Sequence, residues 1–486
     1  MQKSSKLEKK LNVSSEIGRL RRLMIHNPDN GLAKVIPSKA QDWLFEDIIH
    51  LDTMRRHEYD YYVKLLLYFL DPTKIKGKLA EIDAPAKDRA FYEPSSPEYF
   101  NSDKVIDPQF LLSEILEDRE IRIKLVASVC AIEKTPYQLL DKLLAQDSKT
   151  LAYTLISGIL PEGNIIFPPV PNFIFTRDIG IVINDHILLN RPAKLVRVRE
   201  SLIMKYVFYN HPYFQEYQNK IIELAEDEEQ FFLSDEDEQA NQITLEGGDV
   251  MVVHKNHLVI GCSERTSFKA VNKVIQKLFE KDIVRKVSVI KVAKKRDFMH
   301  IDTIFTQVKR NVWVVFGALS RQNKQFEVQD LIKNSNTEGK DTQHRPQIIQ
   351  FHKGRLHQPV HFEYLEDLLD DISQNDFQSP EETKFIYSGN GEFPFGLREQ
   401  WTDSCNVLAL QEGVVIGYDR NNKTAEAFQE LGFEVIKAQD LVEQLDKGDK
   451  KTEQMKDTLI LLPSAELSRA RGGSHCMSMP LWREEV

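Results

Sequence analysis

The sequence predicts an α/β fold in which short antiparallel hairpins, each led by a polar motif, repeat along a β-rich body that carries a helical insertion. Two observations predict it. Four segments share one plan: a polar residue leads an apolar strand, a tight polar turn follows, and a second apolar strand returns, usually before a helical stretch. Upstream of them, residues 39 to 150 place apolar side chains mostly at helical spacing. Repeats led by polar residues gather those residues at one shared end if they are arranged around an axis.

Taken in order, Ser14 to His26 reads as a strand that enters a turn between Asn27 and Gly31. Helical spacing follows in Tyr62, Val63, Leu65, Leu66, Leu67, Phe69 and Leu70, and again in Phe110, Leu111, Leu112, Ile115 and Leu116. The Pro-, Ala- and charge-rich stretch from Asp83 to Pro97 interrupts that region. The first hairpin is led by Asp178, runs Ile179 to Ile183, turns at Asn184-Asp185 and returns over Ile187 to Leu189. The second is led by Asp249, turns at Lys255-Asn256 and returns over Leu258 to Ile260 before a helix from Phe268 to Phe279. The third is led by Asp302 and turns near Arg310-Asn311; the fourth is led by Asn406, turns at Glu412-Gly413 and precedes a helix from Thr424 to Leu431. The N-terminal strand and the segment around Cys476 are left to supply one more unit. The domain reading is a body of residues 1–71 and 151–486, a helical insertion at 72–150, and a polar, irregular excursion at 322–384. Glu226 to Glu238 reads as a solvated acidic loop, and His352, His357 and His361 as surface histidines whose spacing fits no metal-ligand face.

A chain of 486 residues has room for about three domains of ordinary size, or one large one with insertions. Its four cysteines, at 130, 262, 405 and 476, are too few for a disulfide framework and lack metal-type pairing, so free thiols in a reducing compartment are expected. Met1 to Lys10 holds no apolar signal core and no run is long enough to span a membrane, which makes the cytoplasm the expected location. A formal charge of −10 argues against nucleic-acid or phosphate binding and suits a metabolic enzyme.

The chemistry concentrates near the C-terminus. In Arg471-Gly472-Gly473-Ser474-His475-Cys476 a cysteine follows a diglycine that lets a substrate approach the backbone closely, and Cys476 reads as a nucleophile. His300-Ile301-Asp302, if extended, projects an imidazole and a carboxylate from one face. Glu246-Gly247-Gly248-Asp249, and Phe175-Thr176-Arg177-Asp178 after Pro171-Asn172, occupy equivalent hairpin positions. Each motif alone suits an exposed turn equally well; together they describe a site with a thiol, a histidine and several carboxylates. A guanidinium substrate fits that set. Its planar cation is matched by carboxylates that accept paired hydrogen bonds, its central carbon is an electrophile for a thiolate, and a histidine can protonate departing ammonia.

With these motifs the sequence resembles the arginine deiminase family over nearly its whole length. The motifs run in the family's order: Ser15-Glu16-Ile17-Gly18, Pro171-Asn172, Phe175-Thr176-Arg177-Asp178, Glu246-Gly247-Gly248-Asp249, Ser263-Glu264-Arg265-Thr266, His300-Ile301-Asp302-Thr303, Trp401-Thr402-Asp403 with Asn406, and His475-Cys476-Met477-Ser478-Met479-Pro480. The resemblance implies the pentein fold, a fivefold pseudo-symmetric α/β propeller of ββαβ-type modules with a helical insertion. It also implies hydrolysis of L-arginine to L-citrulline and ammonia with no cofactor and no metal. Carried over by motif, Cys476 is the nucleophile, His300 the general acid and base, and Glu246 its partner, while Asp178 and Asp302 clamp the guanidinium. Asn172, Phe175, Arg197, Arg265 and Arg471 surround the amino-acid end, with Arg199 a second candidate beside Arg197. The expected partner is a small molecule, L-arginine, with neither nucleic acid nor membrane, and a homo-oligomer is left open. An amidinotransferase, or a non-catalytic binder of guanidino ligands on the same fold, stays as an alternative.

Overall fold

The computed structural model describes residues 10–43, 47–84, 91–225, 234, 237, 241–319, 321 and 346–486. The centre of the acidic run at 226–238 and the centre of the excursion, 322–345, lie outside the described residues.

Each polar-led apolar pair forms a two-stranded antiparallel ribbon. In the second sheet β3 (Ile181–Ile183) pairs with β4 (His186–Leu188); in the third, β6 (Val250–His254) with β7 (His257–Cys262). In the fourth β9 (Phe305–Lys309) pairs with β10 (Val312–Val315), and in the fifth β14 (Leu408–Gln411) with β15 (Val414–Tyr418). Each ribbon then gains a parallel strand: β5 (Ile221–Ile222), β8 (Lys286–Lys291), β13 (Lys384–Tyr387) and β17 (Thr458–Leu462), the last also flanked by parallel β16 (Glu434–Lys437). A parallel return needs a crossover, and helices supply it. They span Val198–Asn210 between β4 and β5, Phe268–Glu280 between β7 and β8, and Asn422–Glu430 between β15 and β16. The helix at 268–280 shows the physical reason: Ala270, Val271, Val274, Ile275, Leu278 and Phe279 make one buried face, and Ser267 caps its start by accepting from the Ala270 N–H.

The two ends of the chain build the first sheet. Strand β1 (Leu20–Met24) pairs antiparallel with β18 (Met479–Arg483) and parallel with β2 (Val105–Ile106). Five sheets of this one plan, among the described residues, give the pentein architecture its five modules. Closing the first with β18 fixes the loop that carries Cys476 just ahead of that strand.

Two local expectations are revised. The Ser14–His26 strand is confined to Leu20–Met24; ahead of it the chain bends at 16–18, where Ser15 Oγ accepts from the Gly18 N–H and Glu16 Oε1 accepts from the Val252 N–H. From residue 346 the excursion is regular rather than irregular: β11 (Gln347–His352) adds antiparallel to β8, β12 (Val360–Phe362) adds to β11, and a helix at Leu365–Asp371 packs beneath. These two strands form one edge of a five-stranded sheet, and the polar Gln350 of β11 is buried there, donating to Ser288 and Asp371.

Between residues 108 and 157 four helices follow one another, at Pro108–Ile115, Arg119–Ile132, Gln138–Leu144 and Ser148–Ser157. Asp107, Asp118 and Asp147 cap three of them by accepting backbone N–H bonds, each worth about 1 kcal/mol. Among the described residues no helix is long and apolar enough to cross a membrane.

Candidate active site

The polar leaders of the hairpins sit on single 3-10 turns that immediately precede the first strand of each ribbon: Thr176–Ile179, Gly247–Asp249 and Ile301–Thr303. His300 itself is extended, but Asp302 lies inside the turn, so the pair is not the two-apart strand pair expected from the sequence. The tight turns bring three side chains from three sheets inward. Glycine is required where they crowd: a Cβ on Gly248 would lie 2.4 Å from His300 Nδ1, and one on Gly472 would lie 2.2 Å from the Phe175 ring.

Asn172, Phe175, Asp178, Arg197, Glu246, Arg265, Met299, His300, Thr303, Arg471 and Cys476 line one cavity that opens to solvent. Nine of the ten residues singled out from the sequence are among them. The exception is Asp302, which lies behind the cysteine: Cys476 Sγ donates to Asp302 Oδ2 at 3.3 Å, while Asp302 Oδ1 is buried without a hydrogen-bond partner.

Asn406, part of a recognised motif but given no role from the sequence, holds the nucleophile. Its Oδ1 accepts from the Cys476 N–H at 2.9 Å and its Nδ2 donates to Cys476 Sγ at 3.2 Å. The loop ahead of it is pinned by Tyr418, whose hydroxyl donates to the Gly472 carbonyl at 2.7 Å, and Arg471 adopts a left-handed backbone at φ 62°. Met299 and Thr303 also line the cavity without having been singled out; both adjoin the His300-Ile301-Asp302 motif, which is the signal that points to them.

The electrostatics divide the site. Burial pushes the Cys476 thiol well above its usual value, and Asp302, Asp178 and Asp403 push it further. Burial opposes charge on His300, yet Asp178, Glu246 and Asp249 outweigh it and raise the imidazole to about 10. Its Nε2 lies 3.0 Å from Glu246 Oε2. Burial would raise Glu246 too, but Arg197, His300 and Arg265 hold it far below the usual carboxylate range. Asp403, next to Arg471, is pushed up to about 7 by burial.

Arg197 is lodged among three carboxylates. Its Nη1 donates to Asp178 Oδ2 at 2.9 Å and to Glu246 Oε2 at 3.0 Å, and its Nε to Glu200 Oε2 at 3.0 Å. Arg197 Nη2, Arg265 Nε, and Arg471 Nε and Nη2 are buried without hydrogen-bond partners. Arg471 also stacks on the Trp401 ring at 3.8 Å and donates to the Trp401 carbonyl, whereas Arg199 points elsewhere, to Glu133 and the Pro168 carbonyl. That separates the two arginine candidates. Asp178, Glu246 and His300 each place one ligand-type atom within 4.8 Å of the others, but the cation lodged on the two carboxylates is the Arg197 guanidinium.

The family model for arginine deiminase matches residues 114–483. The chain belongs to the arginine deiminase family. The arginine deiminase of Borreliella afzelii is 29% identical over 484 residues, and that of Borrelia garinii subsp. bavariensis 30% identical over 483, each match covering 98% of both chains. A solved amidinotransferase from Microseira wollei is similar over 98% of both chains at 13% identity, with a TM-score of 0.48. Within an arginine deiminase framework the site reads as a cation receptor: buried carboxylates on two sides of a thiol, with unpaired arginine N–H groups in the same cavity.

Proposed function

We propose that the protein hydrolyses L-arginine to L-citrulline and ammonia through a thiouronium on Cys476. The observation that supports this most strongly is the convergence on one cavity of a thiol, an imidazole kept protonated, and carboxylates suited to a planar cation. Asp302 offers a bare Oδ1, and Asp178 has one donor on each oxygen with capacity for more, so the two hold the substrate guanidinium. Arg265, Arg471 and Arg197 turn their unpaired N–H groups to the α-carboxylate, beside Asn172 and Phe175.

The bound cation opposes the carboxylates that hold the thiol protonated, so the thiol releases its proton to solvent and the thiolate forms. Its sulfur adds to the guanidinium carbon. His300 gives its proton to one amino group, which leaves as ammonia, and the neutral imidazole then takes a proton from water as the hydroxide adds to the thiouronium. Expulsion of the thiolate yields citrulline protonated on its new oxygen, which passes that proton to ammonia as ammonium, and the thiolate takes a proton back from solvent. Glu246 holds the imidazolium between the two half-reactions.

Thiolate chemistry needs a reduced nucleophile, which makes the cytoplasm the proposed setting. We keep residues 72–150, around the short β2, as an insertion into a catalytic body of 1–71 and 151–486, with 322–384 an excursion from it; sedimentation of the full chain tests self-association. The deciding assay measures ammonia, citrulline and ornithine released from L-arginine by wild type and Cys476→Ala. Equal ammonia and citrulline, absent from the variant, support hydrolysis; ornithine without ammonia when an acceptor amine is added supports amidino transfer and overturns it.

A further inference from the structure

Cys476 rests on a buried polar chain that none of these roles uses. His475 is 2% exposed, and its ring bridges two carboxylates: Nδ1 lies 3.0 Å from Asp302 Oδ2, and Nε2 lies 3.2 Å from Glu16 Oε2. Arg177 Nη2 approaches the same Nε2 at 2.8 Å and Glu16 Oε2 at 3.3 Å. Glu16 Oε1 accepts from the N–H of Val252, the third residue of β6, so Glu16 ties the N-terminal segment to the third sheet. Nε2 faces both a donor and an acceptor and can serve either. Nδ1 faces the Asp302 carboxylate, so it carries a proton in both arrangements and donates it to Asp302.

The consequence falls on Asp302. Its Oδ2 receives both the His475 Nδ1–H and the Cys476 thiol, while Oδ1 is buried with no partner. We infer that His475, braced by Glu16 and Arg177, is a positioning residue that fixes Asp302 with one oxygen on the thiol and the other bare for a guanidinium N–H of the substrate. Burial by itself raises the Asp302 carboxyl; the His475 hydrogen bond, with His300 and Arg177 adding, carries it below the ordinary carboxylate value. Cys476 and Asp403 are the other titratable groups that face it. Glu16 is itself held far below its usual range, against burial, by Arg177, His475 and Arg483, so the brace keeps its charge. Glu16, Arg177 and His475 all stand in the sequence motifs, and the chain connects all three to the nucleophile.

This inference rests on the proposed hydrolysis. The test compares His475→Asn, His475→Gln and His475→Ala across the acid and neutral range. An Asn amide reaches the place of Nδ1–H, whereas a Gln amide reaches the place of Nε2. His475→Asn is expected to keep at least about a tenth of wild-type kcat/KM. His475→Gln and His475→Ala are expected to lose about 10- to 100-fold, the equivalent of one hydrogen bond to a charged group. In those two the acid limb of kcat/KM is expected to rise by about one pH unit, because Asp302 takes up its proton more readily. Equal losses for Asn and Gln, or an acid limb unmoved in all three, overturn the inference and leave His475 as packing. If wild type releases no citrulline, the hydrolysis reading fails, and the inference is judged by L-arginine affinity in a Cys476→Ala background. There, Asn binding more tightly than Gln supports it, and equal affinities overturn it.

Discussion

Replacing Glu246 with Gln keeps the volume and removes one charge from the His300 pair, and its effect can be worked from the geometry. The Nε2 to Oε2 contact is 3.0 Å, both residues are buried, and a hydrogen bond of this charged kind contributes about 1.5–3 kcal/mol. At 1.36 kcal/mol per unit that is about 1–2 pK units, so the imidazole falls from about 10 toward about 8. The sign follows from its job as an acid: activity needs the protonated ring, and the alkaline limb of kcat marks where the proton is lost. At pH 6 the ring stays fully protonated in both proteins. At pH 9 the protonated fraction drops from about nine-tenths to about one-tenth, so the variant loses about tenfold more at pH 9 than at pH 6. The assay is citrulline release at saturating arginine in both proteins. An equal proportional loss at both pH values, with the alkaline limb unmoved, would refute the pairing of Glu246 with an imidazolium.

Other outcomes follow from the same geometry. Alkylation of Cys476 by a neutral reagent is expected to need a strongly alkaline pH in the empty protein and to shift to lower pH when a guanidinium ligand is bound, since the thiol is raised by burial and by Asp302, Asp178 and Asp403; identical pH profiles would contradict substrate-assisted ionisation. Gly248→Ala places a methyl carbon 2.4 Å from His300 Nδ1 and is expected to cut kcat at least about 100-fold by displacing the ring, read in the citrulline assay alongside thermal unfolding. His26, buried between Asp107 and Asp29, is raised to about 9 against the effect of burial. Its contribution, of order 3 kcal/mol, is fully present below about pH 6.5 and is lost as pH rises through about 9. His26→Gln is therefore expected to flatten the stability profile between those values in denaturant titrations, and an unchanged slope would count against it.

The hairpins were legible because each combines a polar leader, an apolar run and a turn within about a dozen residues, and β3 to β4, β6 to β7, β9 to β10 and β14 to β15 form where that pattern stands. Local pattern says little about pairing at a distance. Strand β2 has two residues, too few for a periodic signal, and finds its place only against β1. The order of β11 comes from the free edge of β8, some sixty residues earlier. The site shows the same division. Cys476, His300, Glu246 and Asp178 reach one cavity as their motifs imply, because each sits at a hairpin lead or on the loop that closes the first sheet. The placement of Asp302 behind the thiol depends on a 3-10 turn and on His475, and the lodging of Arg197 on Asp178 and Glu246 joins residues 19 and 49 positions apart. Neither arrangement leaves a mark in sequence spacing.

The step on which the chemistry turns is attack by Cys476 on the guanidinium carbon of arginine. It is tested most directly by quenching the wild-type protein with acid during turnover of L-arginine and weighing the Cys476 peptide. A peptide heavier by arginine less one ammonia, absent from Cys476→Ala, is expected. Citrulline formed at full rate with the Cys476 peptide unmodified at every quench time, or retained activity in Cys476→Ala, would contradict it.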